Sequence, residues 1–354
     1  MSLPNLLKRL IAAAGWTAAA LVLAVSIVTV MLVFPSAPKP AGSLHFVGFI
    51  PLPRETRAGV LSILDYLTVD GRSLFVASET AGGVYRVPLT PGPLPFDPAI
   101  GWLAGRPAAH GVAIDPASKL GFVSRSESNT VDVFDPATMT TIKRIAVDDD
   151  VDGIFFDPAE KLIYAVNGEP RLATLIDPAT RTKVGVIALG GKPEFAAYDP
   201  QTRLIYQNLE DISAVAVVDV KGRRVVGSWP LAPCDGPTGM ALDLAHRRMF
   251  VVCKNNALMV VLDLASHRVV ASAPVGGGPD SVAYDPTLQR LYVTGKSGVL
   301  SVIQQDSPDA YRVLETVHLH YGAHTLALDP QNGRLYVAYA SLLIGPRLAV
   351  FERP

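Results

Sequence analysis

Seven polar side chains occupy equivalent positions in this chain, and their types are those that bind cations or transfer protons. Each lies five residues before an aspartate that recurs at intervals of 42 to 45 residues. In chain order they are Asp65, His110, Asp152, Glu194, Thr238, Asp280 and His324. The positions three and one before the same aspartate are apolar, as in Val112 and Ile114. This contrast predicts that each repeat contributes one polar side chain to a shared ligand-binding site.

The residue types favour a divalent cation. Neutral imidazole suits transition metals, and carboxylates suit calcium or magnesium. If the repeats close into a ring, His324, Asp65 and His110 become neighbours, which makes them candidate metal ligands. A bound metal could activate water for hydrolase or lyase chemistry, with His320 as proton donor or further ligand. In the competing interpretation the seven residues line a wet channel mouth, without metal or catalysis, where crowded carboxylates raise at least one pKa.

The recurring aspartate marks seven units of propeller length, at Asp70, Asp115, Asp157, Asp199, Asp243, Asp285 and Asp329. Each unit holds two pairs of short alternating strands around tight turns, as in "GVAIDPASKLGFVS" followed by "VDVFDPATMTTIKRIAV". Most of these aspartates precede proline, which presets φ for a turn while the carboxylate accepts from backbone N–H groups. The repeat therefore predicts an all-β, seven-bladed β-propeller of four-stranded antiparallel blades, with the aspartates shaping turns rather than performing catalysis.

The seventh unit lacks its fourth strand, because the chain stops at Pro354 after "RLAVFE". Near the other end, "HFVGFIPL" (45–52) is similar to the fourth strands of other units, such as "KVGVIAL". We expect residues 45–52 to complete blade seven, which closes the ring and protects an exposed strand edge. A propeller over 44–354 follows, in which all Asp-Pro turns share one face. That face is the bottom, and the opposite face is the top.

The segments "RLYVTG" at Arg290, "RLYVAY" at Arg334 and "KLIYAVNG" at Lys161 resemble the YVTN, or YncE-like, β-propeller repeat family. The resemblance covers residues 44–354, although full YVTN tetrads are absent and the first two units are degenerate. It implies the propeller fold. It does not imply one reaction, because that family is not tied to a single activity.

The N-terminal part predicts a membrane anchor. Residues 10–34 contain no charged side chain and could span a bilayer as a helix, preceded by a cytoplasmic segment 1–9 that carries Lys8 and Arg9. A Pro-rich linker, 35–43, then leads into the closing strand, so the bottom face should point toward the cytoplasmic membrane. The propeller would lie on the periplasmic or extracytoplasmic side. A cleaved signal peptide is the alternative, although its apolar region is usually shorter.

Composition and motifs narrow the classes of partner. The net charge is −1 and charged residues make up 18% of the chain, which argues against a surface built for nucleic acid. No C-x-x-C-H haem motif, Walker loop, G-x-S-x-G or H-E-x-x-H motif occurs. The only cysteines, Cys234 and Cys253, both fall near the top of blade five, and we expect them to form a disulfide.

The sequence thus favours binding over catalysis. We expect a membrane-anchored recognition platform whose top face binds a protein or a small ligand. The first alternative is a metal-dependent hydrolase or lyase with its site at the channel mouth. The second is a structural component of an envelope assembly, for which rim charges such as Lys254 and Lys296 would matter more than the channel.

Overall fold

The computed structural model describes residues 37–53, 63–89, 99–105, 108–320, 322–339 and 345–354. Within these ranges the chain forms 28 β-strands and one 3-10 helix, Glu210–Ile212. The strands make seven four-stranded antiparallel sheets, each of which is one blade. The seven-bladed all-β propeller predicted from the repeat is confirmed.

The predicted anchor, 10–34, and the segment before it, 1–9, lie outside the described residues, as do the first two residues of the linker. Among the residues that the structure does describe, no helix has the length and apolar character needed to cross a bilayer.

Each blade consists of four strands in chain order, a to d, from the central channel outward, and only blade seven departs from this rule. Blade one is β2 (Leu64–Asp70), β3 (Ser73–Ser78), β4 (Gly83–Pro88) and β5 (Gly101–Leu103). Blade two is β6 (Ala109–Ile114), β7 (Gly121–Arg125), β8 (Thr130–Asp135) and β9 (Thr140–Ala146). Blade three is β10 (Val151–Asp157), β11 (Leu162–Asn167), β12 (Leu172–Asp177) and β13 (Thr182–Ala188). Blade four is β14 (Pro193–Asp199), β15 (Leu204–Leu209), β16 (Ala214–Asp219) and β17 (Arg224–Pro230).

The remaining blades follow the same plan. Blade five is β18 (Pro237–Asp243), β19 (Arg248–Cys253), β20 (Leu258–Asp263) and β21 (Arg268–Pro274). Blade six is β22 (Pro279–Asp285), β23 (Arg290–Gly295), β24 (Val299–Ser307) and β25 (Ala310–His318). Blade seven takes strands a to c from β26 (Leu326–Leu328), β27 (Leu335–Tyr339) and β28 (Arg347–Glu352), and its outer strand is β1 (His45–Pro51).

The closing strand pairs as the sequence predicts. β1 runs antiparallel to β28, with His45 opposite Glu352 and Pro51 opposite Arg347. A bulge between Phe46 and Gly48 interrupts the ladder once. Because β28 ends at the bottom face, the chain enters β1 from that same face. The first residue of β1 and the last residue of β28 therefore lie side by side at the bottom of blade seven.

The recurring aspartates organise the bottom face. Ala117 N–H donates to Asp115 Oδ1 at 3.1 Å, and the aspartates of several other units accept in the same way from the residue two positions later. Some of them also tie neighbouring blades, since Arg247 of blade five donates to Asp199 of blade four at 2.8 Å. Apart from the exposed Asp70, these carboxylates are buried structural acceptors, which agrees with their predicted role in turns.

Packing follows the order of strands within a blade. The middle strands b and c are buried on both faces, as in β11, where Ile163, Tyr164 and Ala165 are fully covered. Their near-continuous apolar sequences suit a position between two neighbouring blades. The outer strands alternate between half-buried and exposed side chains, as in β17. The blades thus form a rigid ring around the channel.

Cys234 and Cys253, expected to pair, are joined by a disulfide. Cys253 ends β19 opposite Pro237, so the disulfide fastens the loop before β18 to the second strand of the same blade. This holds the top of blade five, next to the channel mouth.

Candidate functional site

A β-bulge positions the polar residue at the top of the inner strand in blades one to six. In blade one, Leu64 pairs with Ser78 and Leu67 pairs with Val76, so Asp65 and Tyr66 together oppose a single residue. The same shift falls between Ala109 and Val112 in blade two, and the equivalent place is irregular in blades three to six. A bulge bends the strand and redirects its side chains. Successive blades can therefore present these residues at the mouth of the channel.

Three of the predicted residues form a compact cluster. His110 Nδ1 lies 2.6 Å from Asp65 Oδ2 and 3.5 Å from Asp152 Oδ1. The other ring nitrogen, Nε2, lies 2.8 Å from Ser126 Oγ, which fixes the orientation of the imidazole. One ligand atom from each of Asp65, His110 and Asp152 falls within 4.8 Å of the other two. We call these three residues the Asp-His-Asp cluster.

The two carboxylates hold His110 in its charged form. Burial opposes that charge, but the hydrogen bond to Asp65 and the negative charges of Asp152, Asp65 and Glu79 outweigh burial. Together they raise the pKa of His110 to about 9. At neutral pH the cluster is therefore an imidazolium held between two acids, and a metal would have to displace that proton.

The acids of the mouth resist ionisation. Burial, followed by the charges of Asp65, Asp150 and Asp280, raises the pKa of Asp152 although His110 acts in the opposite direction. Burial and the neighbouring charges of Asp152 and Asp280 raise the pKa of Glu194 to about 7, against the opposing effect of Lys254. The pKa of Asp280 is raised as well, mainly by burial. The mouth thus holds more negative charge than its surroundings stabilise.

Asp152 has a buried side-chain oxygen, Oδ1, that accepts no hydrogen bond from any residue that the structure describes. His110 Nδ1, at 3.5 Å, offers a charge but lies beyond ordinary N–H···O length. A buried acceptor without a donor costs about 1 to 3 kcal/mol, so this oxygen favours a ligand that brings a donor or a positive charge.

Tyr66 separates the mouth from the lower channel. It follows Asp65 in the bulge of blade one, and its ring centroid lies 6.0 Å from that of Phe195 in blade four. A Cβ added to Gly153 in blade three would lie 4.0 Å from the Tyr66 hydroxyl. Since blades one, three and four surround the channel, the Tyr66 side chain reaches across it. Burial and the nearby acids, above all Asp152 and Glu194, raise the pKa of Tyr66 well above its usual value.

The ring does not bring all the predicted residues together. His324 pairs with Asp280, Nε2 to Oδ2 at 3.6 Å, and is not among the three residues that converge closely enough to share a metal. The structure thus brings Asp65 and His110 together with Asp152, whereas the predicted ligand set of His324, Asp65 and His110 stays a prediction. The position of His324 is set locally, because it precedes the short strand β26 and its Nδ1 is held by the carbonyl of Gly322 at 2.6 Å.

Two other residues predicted to bind a ligand, Thr238 and His320, make contacts within the propeller. Thr238 is 3% exposed, and its hydroxyl donates to the carbonyl of Pro279 at 2.9 Å, which ties blade five to blade six. His320 is 5% exposed, and its ring lies against Tyr339 of β27 with centroids 5.8 Å apart. Both are packed within or between blades, and their predicted contact with a ligand stays a prediction.

A cavity of about 540 Å³ lies below Tyr66. Its walls come from the inner strands of blades one, two, three, four and seven, and they are largely apolar, including Leu67, Ile154 and Phe155. It reaches Asp70 and Pro330, which are exposed residues of the bottom turns. We call it the lower chamber. Glu194 lines its upper end and also takes part in the electrostatics of the mouth.

Sequence reasoning missed Tyr66, Phe195 and the lower chamber. A sequence signal was present in the residue that follows the polar residue at the top of each inner strand. This residue is glycine in blades two, three and five, but it is aromatic in blades one (Tyr66) and four (Phe195). Glycine is required where inner strands approach closely, since a Cβ on Gly239 would lie 2.7 Å from the carbonyl oxygen of Asp280. The two aromatic exceptions are therefore the ones that fill the channel.

Comparison with known proteins agrees on the fold. The chain is similar to the structure titled "Kuenenia stuttgartiensis Hydrazine Synthase", with a TM-score of 0.68 and 18% identity over 84% of this chain and 97% of that one. It is also similar to the WD40 β-propeller domain of Doa1, with a TM-score of 0.68 and 10% identity over 88% of this chain and 97% of that one. At these identities the likeness shows a β-propeller and no shared activity.

No protein-family model matches the chain, and no curated protein matches it significantly. The fold and the site themselves define a seven-bladed β-propeller with an acidic, histidine-containing channel mouth.

Proposed function

We propose that this protein is a recognition platform of the YVTN, or YncE-like, type, whose top-face channel mouth binds a positively charged group of a protein or small ligand. The observation that carries the proposal is the buried Oδ1 of Asp152, which lacks a hydrogen-bond donor among the described residues. The raised pKa values of Asp152 and Glu194 support it, because an added cation would relieve their mutual repulsion.

The placement in the cell is part of the same proposal. Residues 10–34 anchor the chain in the cytoplasmic membrane, and the propeller lies on the periplasmic or extracytoplasmic side. The route of the chain supports this orientation, since β1 begins at the bottom face and Ser43 is held there by Arg290, whose Nη1 donates to its carbonyl at 3.0 Å. The top face then points away from the membrane toward partners.

Titration calorimetry of the full-length chain with tetralysine tests the platform. We expect the wild type to bind, and Asp152→Asn to weaken binding at least tenfold, because a neutral amide keeps the shape and removes the charge. Asp149→Asn is the matched control, since Asp149 is an exposed acid of the same top loop. Absence of binding, or equal weakening by the two variants, would contradict the proposal.

The Asp-His-Asp cluster favours one second candidate, a metal-dependent hydrolase or lyase. Its residues have suitable ligand types and converge within 4.8 Å. Titration of the same protein with a metal ion distinguishes the enzyme from the recognition platform. Stoichiometric binding of Zn²⁺ or Mn²⁺ that is lost in a His110→Ala, Asp65→Asn double variant, with no binding of tetralysine, would replace the platform by the enzyme.

The envelope-assembly role has less support from the mouth. The amine of Lys254 is paired with Glu210, and Lys254 also interacts with Glu194, so this lysine belongs partly to the channel electrostatics. We therefore rank the assembly role below the other two.

A further inference from the structure

The lower chamber is a second candidate site, which lies below the channel mouth and shares Glu194 with it. Tyr66 closes it above, and its lower end reaches the exposed Asp70 and Pro330. Its volume of about 540 Å³ falls within the range of small-molecule pockets, which are typically 300 to 1,000 Å³. Such pockets are mostly apolar with a few convergent polar groups, and this description fits the chamber.

The charged residues that line the lower chamber determine which ligand charge it can accept. Among the described residues that line it, the only carboxylates are Glu194 at the upper end and Asp70 at the lower end, and none is Lys, Arg or His. A ligand carboxylate or phosphate would therefore meet negative charge at both ends. The apolar walls between them, including Val69, Phe156 and Ala327, require an apolar body.

Aromatic rings at the upper end add a further preference. Tyr66 and Phe195, whose centroids are 6.0 Å apart, stand beside Glu194. The faces of aromatic rings attract cations, and a carboxylate beside them completes a pocket suited to an ammonium group. An amine head at Glu194 would thus be bound by charge and by ring faces together.

We propose that the lower chamber binds a small amphiphilic amine, which enters from the bottom face with its apolar body among the inner strands and its ammonium group at Glu194. This site shares Glu194 with the cation recognition proposed for the top face. It uses surfaces of blades one, two, three, four and seven that the mouth does not use.

The ionisation of Glu194 sets the pH dependence of this binding. Its pKa is raised to about 7, so the carboxylate is largely charged at pH 8 and largely neutral at pH 6. An ammonium ligand should bind more tightly at the higher pH. The charged or titratable groups around Glu194 are Asp152, Asp280, Lys254, Lys192 and Tyr66.

Three probes with one apolar body test the site: 4-phenylbutylamine, 4-phenylbutan-1-ol and 4-phenylbutyrate. We expect calorimetry on the full-length chain at pH 8 to show the amine binding at least tenfold tighter than the alcohol, with the butyrate not binding. At pH 6 the advantage of the amine should shrink severalfold. Glu194→Gln should remove the advantage while leaving the affinity for the alcohol.

Two variants locate the bound probe. Ala196→Phe and Val69→Phe each fill the chamber from a different blade, and both should abolish binding of the amine and the alcohol. Circular dichroism identifies the variant that retains the fold, and the second serves if the first does not. The proposal is overturned if a folded chamber-filling variant binds the amine as the wild type does, or if the amine binds no better than the butyrate. Tetralysine binding reports the top face separately, so failure of one site is distinguishable from failure of the other.

Discussion

At the scale of single residues, the channel mouth accumulates like charge at a cost to stability. Asp152, Glu194 and Asp280 all have raised pKa values, while His110 is held charged between Asp65 and Asp152. Residues that optimise a binding site commonly oppose folding. This arrangement is therefore what we expect of a functional surface rather than of a structural ion-pair network.

Glu194→Gln should stabilise the protein in a pH-dependent manner. The pKa of Glu194 is raised from 4.5 to about 7, so its unfavourable contribution develops as pH rises from 4.5 to 7 and is complete above 7. We expect the variant to unfold like the wild type at pH 4 and to gain about 1 to 3 kcal/mol at pH 8. Urea denaturation at the two pH values measures this difference.

Glu160→Gln is the control for that measurement, because Glu160 is a carboxylate near the bottom face that pairs with Arg203. It should show no gain at pH 8. Equal stability of the Glu194→Gln variant and the wild type at pH 8 would show that the mouth does not strain the folded state.

Single residues also show which features of the candidate site could be predicted from the sequence and which could not. The pattern located Asp65, His110, Asp152, Glu194 and Asp280 at the mouth, because polarity at one repeat position is visible in the sequence. It could not separate these from Thr238, whose hydroxyl is used between blades. Nor could it place Tyr66 across the channel, since that depends on a distance between blades that no local pattern records.

At the scale of elements, bulges and cross-links decide how the mouth is held. The bulge at the top of the inner strand was not predicted, because alternation along a strand carries no sign of one inserted residue. It explains why a polar residue and its neighbour both turn toward the channel. The disulfide at the top of blade five adds a covalent constraint beside the mouth.

Loss of the disulfide should lower stability. Cys234 and Cys253 are 19 positions apart, and closing a loop of this length restricts the unfolded chain by about 3 kcal/mol. We expect a Cys234→Ala, Cys253→Ala double variant to lose about that amount of unfolding free energy. Urea denaturation with and without dithiothreitol checks it, because the reductant should destabilise the wild type and leave the double variant unchanged. A wild type that is indifferent to reductant would refute the prediction.

At the scale of the whole molecule, stability depends on closure of the ring. The closing strand buries Ile50 completely, in an apolar cluster that also contains Leu74, Tyr85 and Leu348. This cluster joins blade seven to blade one. The seven-fold repeat, the closing strand and its partner β28 were all predicted from sequence. Aligning the repeats gives their period and shows which unit lacks a strand.

Ile50→Ala should therefore destabilise the protein more than a change at an exposed position of another outer strand. We expect a loss of about 3 kcal/mol for Ile50→Ala, because a buried methyl-rich side chain leaves a cavity. Val226→Ala, on the outer strand β17, should cost less than about 0.5 kcal/mol, since Val226 is 47% exposed. Chemical denaturation of both variants measures the difference, and similar losses would argue against a special role for the closing strand.

Pairing of the first strand with the last has a consequence for biosynthesis. β1 ends at Pro51, whereas β28 begins at Arg347, so the ribosome must add nearly the whole propeller before the two can meet. At translation rates of roughly 5 to 20 residues per second, β1 stays unpaired for roughly 15 to 60 s before β28 is synthesised. During that interval the segment "HFVGFIP" presents an unpaired apolar edge, which exposes the newborn chain to aggregation unless a chaperone covers it.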